Sequence, residues 1–125
     1  APHAGAIVAR LEHVDRYARE AAVRALGLLG EHAEPHAGAI AARLEDTDSD
    51  VRWVAVEVLG GLGEHAAPHA GAIAALLEDV NSGVKRVAVE ALGVLGEHAA
   101  PHAGAIAARL EDADSGVRRV AVEAL

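Results

Sequence analysis

The sequence contains no cysteine, no methionine and no phenylalanine, and its aromatic residues are one tryptophan and one tyrosine. Without cysteine there are no disulfides, thiolate metal sites or thiol nucleophiles, and nothing about the redox compartment can be read. The lack of methionine, position 1 included, is expected of a fragment, a processed product or an engineered chain. No uncharged apolar run approaches the ~18 residues of a membrane span, and no basic start followed by an apolar core suggests a signal peptide. Lys and Arg are too few: 11 against 19 Asp and Glu, a formal net charge of −8. That balance argues against nucleic acid, whose phosphates are neutralised by cations.

What fills the 125 residues is alanine and aliphatic side chains, 31 Ala and 32 Ile, Leu or Val. The aliphatic share is too high for disorder, and alanine, which loses no side-chain entropy in a helix, favours the all-α class. Proline occurs at Pro2, Pro35, Pro68 and Pro101, 33 residues apart each time, and each begins a PHAGAI word. Residues 68–92 and 101–125 agree at 21 of 25 positions. Identity this close follows from recent duplication or consensus design. The chain divides into repeats 1–33, 34–66, 67–99 and an incomplete 100–125, one repeat domain over 1–125.

Each unit reads as two helices. In the third, Ala70, Ile73, Ala74 and Leu77 form one apolar stripe of a helix opening at Pro68. The word EDVNSG breaks it, with Asn81 (Asp48 and Asp114 in neighbouring repeats) as N-cap of a second helix. Val84, Ala88, Ala91, Leu92 and Leu95 stripe that helix, and Gly96 ends it in a left-handed conformation. A loop GEHAAP leads to the next proline. One such unit has about five large apolar side chains, worth ~1.5–3 kcal/mol each when buried. Ordering its backbone costs ~1–2 kcal/mol per residue. Neighbours must therefore stack, which predicts an α-solenoid. Small residues Gly71, Ala72, Ala75 and Gly93 are expected at close approaches.

The words Asp46-x4-Val51-Arg52, Asp79-x4-Val84-Lys85 and Asp112-x4-Val117-Arg118, each followed by EVLGGLG or EAL, resemble the HEAT-like repeat family. The ankyrin period is also 33, but the TPLH word is absent. The HEAT-like resemblance implies about four stacked antiparallel helix pairs, with second helices lining a concave side. It also implies a hydrogen-bonded ladder through Asp46, Arg52, Asp79, Lys85, Asp112 and Arg118. The first repeat has Arg19 but carries His13 where the family has Asp, and Gly38, Gly71 and Gly104 stand where many members have a first-helix proline.

Chemistry is sparse. His32/His36, His65/His69 and His98/His102 sit four apart as zinc ligands can, but a proline falls between each pair, so loop structure is the expectation and no metal is assigned. Protonating all eight histidines would move the formal charge from −8 to 0. Glu31-His32, Glu64-His65 and Glu97-His98 reverse the His-Glu order of the family's di-iron hydroxylase branch and lie after the second helix, so that ligand set does not transfer. Nothing marks the tetrapyrrole-handling lyase branch, and Ser49, Ser82 and Ser115 follow N-cap positions. No enzyme activity and no cofactor are expected.

Recognition is the expected function. The family's variable inward positions correspond to Glu20, Ala21, Arg24 and Leu28; Trp53, Val54, Glu57 and Gly61; Arg86, Val87, Glu90 and Val94; Arg119, Val120 and Glu123. Trp and Arg are enriched in binding hot spots, and Trp53 fills a slot that is Glu or Arg elsewhere. The expected partner is a protein or peptide, with no nucleic acid or membrane. Arg86/Glu90 and Arg119/Glu123 are also spaced to pair on a solvated face. The fourth repeat shows no polar conversion and ends seven residues short of four full units, so end-to-end assembly of copies into a filament is the alternative expectation.

Overall fold

Residues 4–125 are described by a computed structural model. Pro2 and the side chain of Glu31 lie outside the described residues. No strand occurs among the rest. Four short first helices, α1 (Ala4–Ala9), α3 (Ala37–Ala42), α5 (Ala70–Ala75) and α7 (Ala103–Ala108), each run into a 3-10 turn: Arg10–Glu12, Arg43–Glu45, Leu76–Glu78 and Arg109–Glu111. Four second helices follow them, α2 (Arg16–Leu28), α4 (Ser49–Gly61), α6 (Ser82–Leu95) and α8 (Ser115–Ala124). The second helices pack directly on one another in chain order, while each first helix packs on its own second helix, and α3 and α5 also pack on the following connector. The chain is an all-α solenoid.

The turn residues account for the helix starts. Each first helix ends at an extended residue, as at Asp46 with φ −61° and ψ 147°. Two residues on, a short polar side chain caps the second helix. Asp15 accepts from the Tyr17 N–H at 2.8 Å and Asp48 from Asp50 and Val51 at 3.0 and 3.2 Å. Asn81 and Asp114 accept from Val84 and Val117, both at 3.1 Å. Each cap contributes roughly 1 kcal/mol.

The connectors differ from the expected loops. Gly30–His36, Gly63–His69 and Gly96–His102 are 3-10 helices containing the prolines, so each proline precedes its first helix rather than opening it. The locked proline φ suits a 3-10 turn as well as an α-turn, and the histidine after it, at φ −107° to −106°, separates the two. Gly30, Gly63 and Gly96 enter the connectors with φ of 58°, 60° and 56°, where a side chain is disfavoured. At Gly96, ψ is −121°, so the turn lies outside the ordinary left-handed helical well.

Equivalent positions of successive repeats supply the core. Leu11, Leu44 and Leu77 close the first helices, Ile40 and Ile73 face inward, and Leu26, Leu59 and Leu92 anchor the second helices. Val54 and Val120, expected on the binding face, belong to this core, whereas Ala21 and Val87 at the same register are exposed and half-buried. The small residues divide likewise. A Cβ on Gly27 would stand 2.9 Å from Val58 Cγ2, closer than the packing there allows, whereas on Gly60 and Gly93 it would make ordinary 3.5 Å contacts with the Cβ atoms of Ala91 and Ala124. Gly71, by contrast, faces open space and Ala72 and Ala75 are exposed, because first helices do not pack closely on one another.

Candidate binding face

A ladder of side-chain hydrogen bonds ties each repeat to the next. Arg19 donates from Nε and Nη2 to both Asp46 oxygens at 2.8 and 2.9 Å. Arg52 holds Asp79 by the same fork at 2.8 and 3.1 Å, and Lys85 Nζ reaches both oxygens of Asp112 at 2.8 and 3.1 Å. Each partner lies 27 residues ahead, in the next repeat. The same carboxylates accept backbone N–H groups of their own turn: Asp48 on Asp46, Asn81 on Asp79 and Asp114 on Asp112. One side chain thus shapes the turn and receives the preceding repeat's cation. Arg118 donates to the Asp112 and Ala113 carbonyls and meets no carboxylate of a following repeat in this chain.

Burial pushes the Asp46 carboxyl up, but the Arg19 hydrogen bonds, the Asp48 N–H and the charges of Arg19 and Arg43 outweigh it and hold the group below its ordinary value. The hydrogen bond from Lys85, with that of Asp114 N–H, holds Asp112 down. Arg43 and Arg109 add a second cation to Asp46 and Asp112 at 3.4 and 3.2 Å. Leu76 stands at that position in the third repeat, so Asp79 has Arg52 alone.

Sequence reasoning missed the first rung's construction. His13 Nδ1 accepts the Asp15 N–H at 3.1 Å, doing for the turn what the Asp oxygen does elsewhere, while presenting no anion. The signal was available: His13 occupies the Asp register and Asp15 the cap register. Arg16 to Asp48, at 3.1 Å, is a further inter-repeat ion pair that the sequence reading did not contain.

The other candidate residues lie along the stacked second helices. Glu20 and Arg24 pair within α2 at 2.9 Å. Arg119 and Glu123 approach to 3.9 Å on α8, both largely exposed. Arg86 and Glu90 make no such pair. The Arg86 stem instead extends over Gly116 of the next repeat, its Cδ 3.8 Å from where a Cβ there would sit. Trp53, half-buried, leans the same way over Gly83, with Cδ1 at 4.0 Å. The tight approach at both glycines, unremarked in the sequence, is instead to the cap oxygens: a Cβ would stand 3.0 Å from Asn81 Oδ1 and from Asp114 Oδ1.

Shallow clefts run between successive second helices. One of about 390 Å³ is bordered by Arg24, Leu28, Glu57 and Val58, one of about 250 Å³ by Trp53, Glu57, Arg86, Glu90 and Val94, and one of about 340 Å³ by Glu90, Val94, Glu123 and Ala124. Leu28 and Val94 stand 88% and 64% exposed at their rims. The structure therefore brings Trp53, Glu57, Arg86 and Glu90 to one cleft, and separates Glu20 from it.

The histidines lie on the connectors, with His32, His65 and His98 exposed and His36, His69 and His102 half-buried. His65 Nε2 is 3.2 Å from Glu34 Oε2 of the preceding repeat. Among the described residues no three His, Asp or Glu side chains converge as a metal site would require. No described helix is long and apolar enough to cross a membrane.

Comparison with known proteins agrees with this geometry. Three solved structures superpose closely. An engineered protein has a TM-score of 0.78 at 19% identity, over 97% of this chain and 60% of its own. A designed armadillo repeat protein in complex with the peptide (KR)4 gives 0.74 at 19% identity, over 95% of this chain and 61% of its own. The complex of CpcE and CpcF of phycocyanin lyase from Nostoc sp. PCC7120 gives 0.71 at 18% identity, over 98% and 76%. The chain thus spans about three fifths of the first two, and at these identities the likeness is one of fold. No curated protein matches the sequence. The family model for HEAT repeats matches residues 4–93, and the chain belongs to the HEAT repeat family.

Proposed function

We propose that this protein is a non-catalytic scaffold that holds a protein or peptide segment along its second-helix face. The observation that carries the reading is the row of clefts between α2, α4, α6 and α8. Along it, the invariant Leu26, Leu59 and Leu92 are buried beneath the face, while two positions that change from repeat to repeat, Glu20/Trp53/Arg86/Arg119 and Leu28/Gly61/Val94, are half-buried or exposed. A surface whose variable side chains stand on a rigid, ladder-locked stack is preorganised for binding, which reduces the ordering cost of association. The second helices pack directly on one another while the first helices do not, and the more tightly spaced layer of a solenoid is its concave one. The designed armadillo relative, of the same fold, carries a peptide. The test is selection of a displayed random-peptide library on the immobilised chain. Enriched peptides are expected to bind at least tenfold more weakly to Trp53→Ala and equally well to Glu111→Gln, on a 3-10 turn outside the clefts. Equal binding to all three would place recognition elsewhere.

One observation favours a second reading, end-to-end assembly of copies. Leu110, Val122 and Leu125 are 38%, 66% and 61% exposed, whereas their equivalents Leu77, Val89 and Leu92 are at most 1% exposed beneath the next repeat. A second copy would cover them. Against it, the first repeat would offer Arg118 the imidazole of His13 in place of a carboxylate. Light scattering on dilution decides: particles that lengthen with concentration, and shorten in Val122→Glu, support assembly, and a concentration-independent monomer removes it.

A further inference from the structure

On the second-helix face, one slot departs from the charge pattern of the others. Glu20–Arg24 and Arg119–Glu123 each set a cation and an anion four apart on one helix, and Arg86 and Glu90 have the same spacing. In the second repeat Trp53 takes the cation's place, and Glu57 stands exposed with no cation within 4 Å among the described residues. Glu90, across the same cleft, has none either. The cleft of about 250 Å³ between α4 and α6 therefore has an indole and two carboxylates at its rim. Its floor is Gly60, Val87 and Ala91.

Arg86 also borders this cleft. Its stem is drawn over Gly116 toward the next repeat, and among the described residues no cation lies over the Trp53 ring, although Arg16 sits 4.9 Å from the centroid of Tyr17 elsewhere. With one guanidinium against two carboxylates the rim is net negative, on a chain whose overall charge is −8. We infer that this cleft takes an arginine- or lysine-bearing peptide segment, the aliphatic stem lying on Trp53 and the apolar floor and the cation meeting Glu57 and Glu90. The inference rests on the second-helix face being the binding face.

The chemistry selects this occupant. An arginine or lysine stem is apolar over three or four methylenes and charged at its tip, matching an apolar floor under an acidic rim. An open indole face attracts a cation electrostatically, most strongly among the aromatic rings. An acidic segment would meet two carboxylates at close range. A wholly apolar one would desolvate Glu57 and Glu90 without compensation. The net negative surface also draws cationic chains to the cleft before contact.

Trp53 is the single tryptophan, so its emission reports on this cleft alone. Titrate the intact chain with four twelve-residue peptides, (Arg-Ser-Gly)4 and its Lys, Gln and Glu counterparts, following Trp53 emission and measuring affinity separately by calorimetry. The Arg and Lys peptides are expected to change the emission and to bind at least tenfold more tightly than the Gln peptide, with the Glu peptide weakest. Glu57→Gln should weaken the Arg peptide about fivefold and Trp53→Ala about tenfold, with helicity unchanged in both, while Glu111→Gln leaves it unaltered. Raising salt should weaken Arg binding and not Gln binding. If the Gln or Glu peptide moves Trp53 emission with equal affinity, the face binds peptides and the cationic assignment is overturned. If Arg binding appears by calorimetry but leaves Trp53 emission and the Trp53→Ala affinity unmoved, the site lies elsewhere and both readings fall.

Discussion

Removing the carboxylate of Asp46 tests whether the ladder couples one repeat to the next. In Asp46→Ala, Arg19 loses a forked pair at 2.8 and 2.9 Å, Arg43 loses its 3.4 Å contact, and the Asp48 N–H loses its acceptor. Breaking a fully buried ion pair from one side costs about 3–5 kcal/mol. The Asp46 side chain is 2% exposed, but Arg19 is 12% exposed and keeps its Nη1 bonds to the His13 and Val14 carbonyls, so part of that cost is relieved by water. The turn bond adds about 1 kcal/mol. The expected destabilisation is about 3 kcal/mol, of which about 2 kcal/mol appears as coupling in a double-mutant cycle with Arg19→Ala. Urea unfolding followed by far-ultraviolet circular dichroism and by Trp53 emission provides the assay. In the parent the two transitions are expected to coincide. In Asp46→Ala the circular dichroism change should precede the tryptophan change, because the first repeat is released while the second, which carries Trp53, stays folded. A coupling energy below about 0.5 kcal/mol, with coincident transitions, would refute the claim that this pair joins repeats.

Three further outcomes are expected. Gly60→Ala should stabilise by about 0.5–1 kcal/mol in thermal melts, since its Cβ would meet Ala91 at 3.5 Å, an ordinary contact, and alanine is the better helix former. Gly63→Ala, three residues on, should instead destabilise by about 1–2 kcal/mol, because φ there is +60°. The third outcome concerns pH. Asp46 and Asp112 lie below their ordinary value of 3.8 when folded, so their contribution is fully present above that value. It is lost as pH falls through the lower folded values. The urea midpoint should therefore drop as pH falls below about 4, and less steeply in Asp46→Asn, which has already lost part of that contribution.

Most of the fold was legible because four copies of one pattern repeat the same statement. The stripe Ala70, Ile73, Leu77 and the stripe Val84, Ala88, Leu92 are buried, and the cap register Asp48, Asn81, Asp114 bonds the N–H groups of the second-helix first turn. What was not legible depended on distances between elements. Gly71 and Gly93 are both small residues on helices, and sequence alone does not tell that one faces solvent while the other meets Ala124. Val54 was expected on the face because it matches one of the family's variable inward positions, yet one residue turns a helix by about 100°, enough to move a side chain from the rim beside Trp53 into the core. The proline connectors misled for a different reason: a proline satisfies a 3-10 turn and a first α-turn equally, and the following histidine, not the proline, decides where the α-helix begins.

The candidate site was legible only where a column broke its own rule. Trp53 stood out because its register is charged in the other three repeats, whereas Glu57, Glu90 and Glu123 look alike in sequence and differ by what lies beside them. Within a repeat protein, invariance along a column is explained by packing, as the buried Leu26, Leu59 and Leu92 column illustrates. Variation at an exposed column carries no packing reason. A tryptophan placed there leaves an anion without its helix-mate and sets an indole over Gly83, at the edge of a cleft with an apolar floor. The ladder and the face are thus separable: Arg52 and Asp79 hold the helices at fixed spacing from the turn edge, and the side chains that vary are free to change what the groove accepts without loosening the stack.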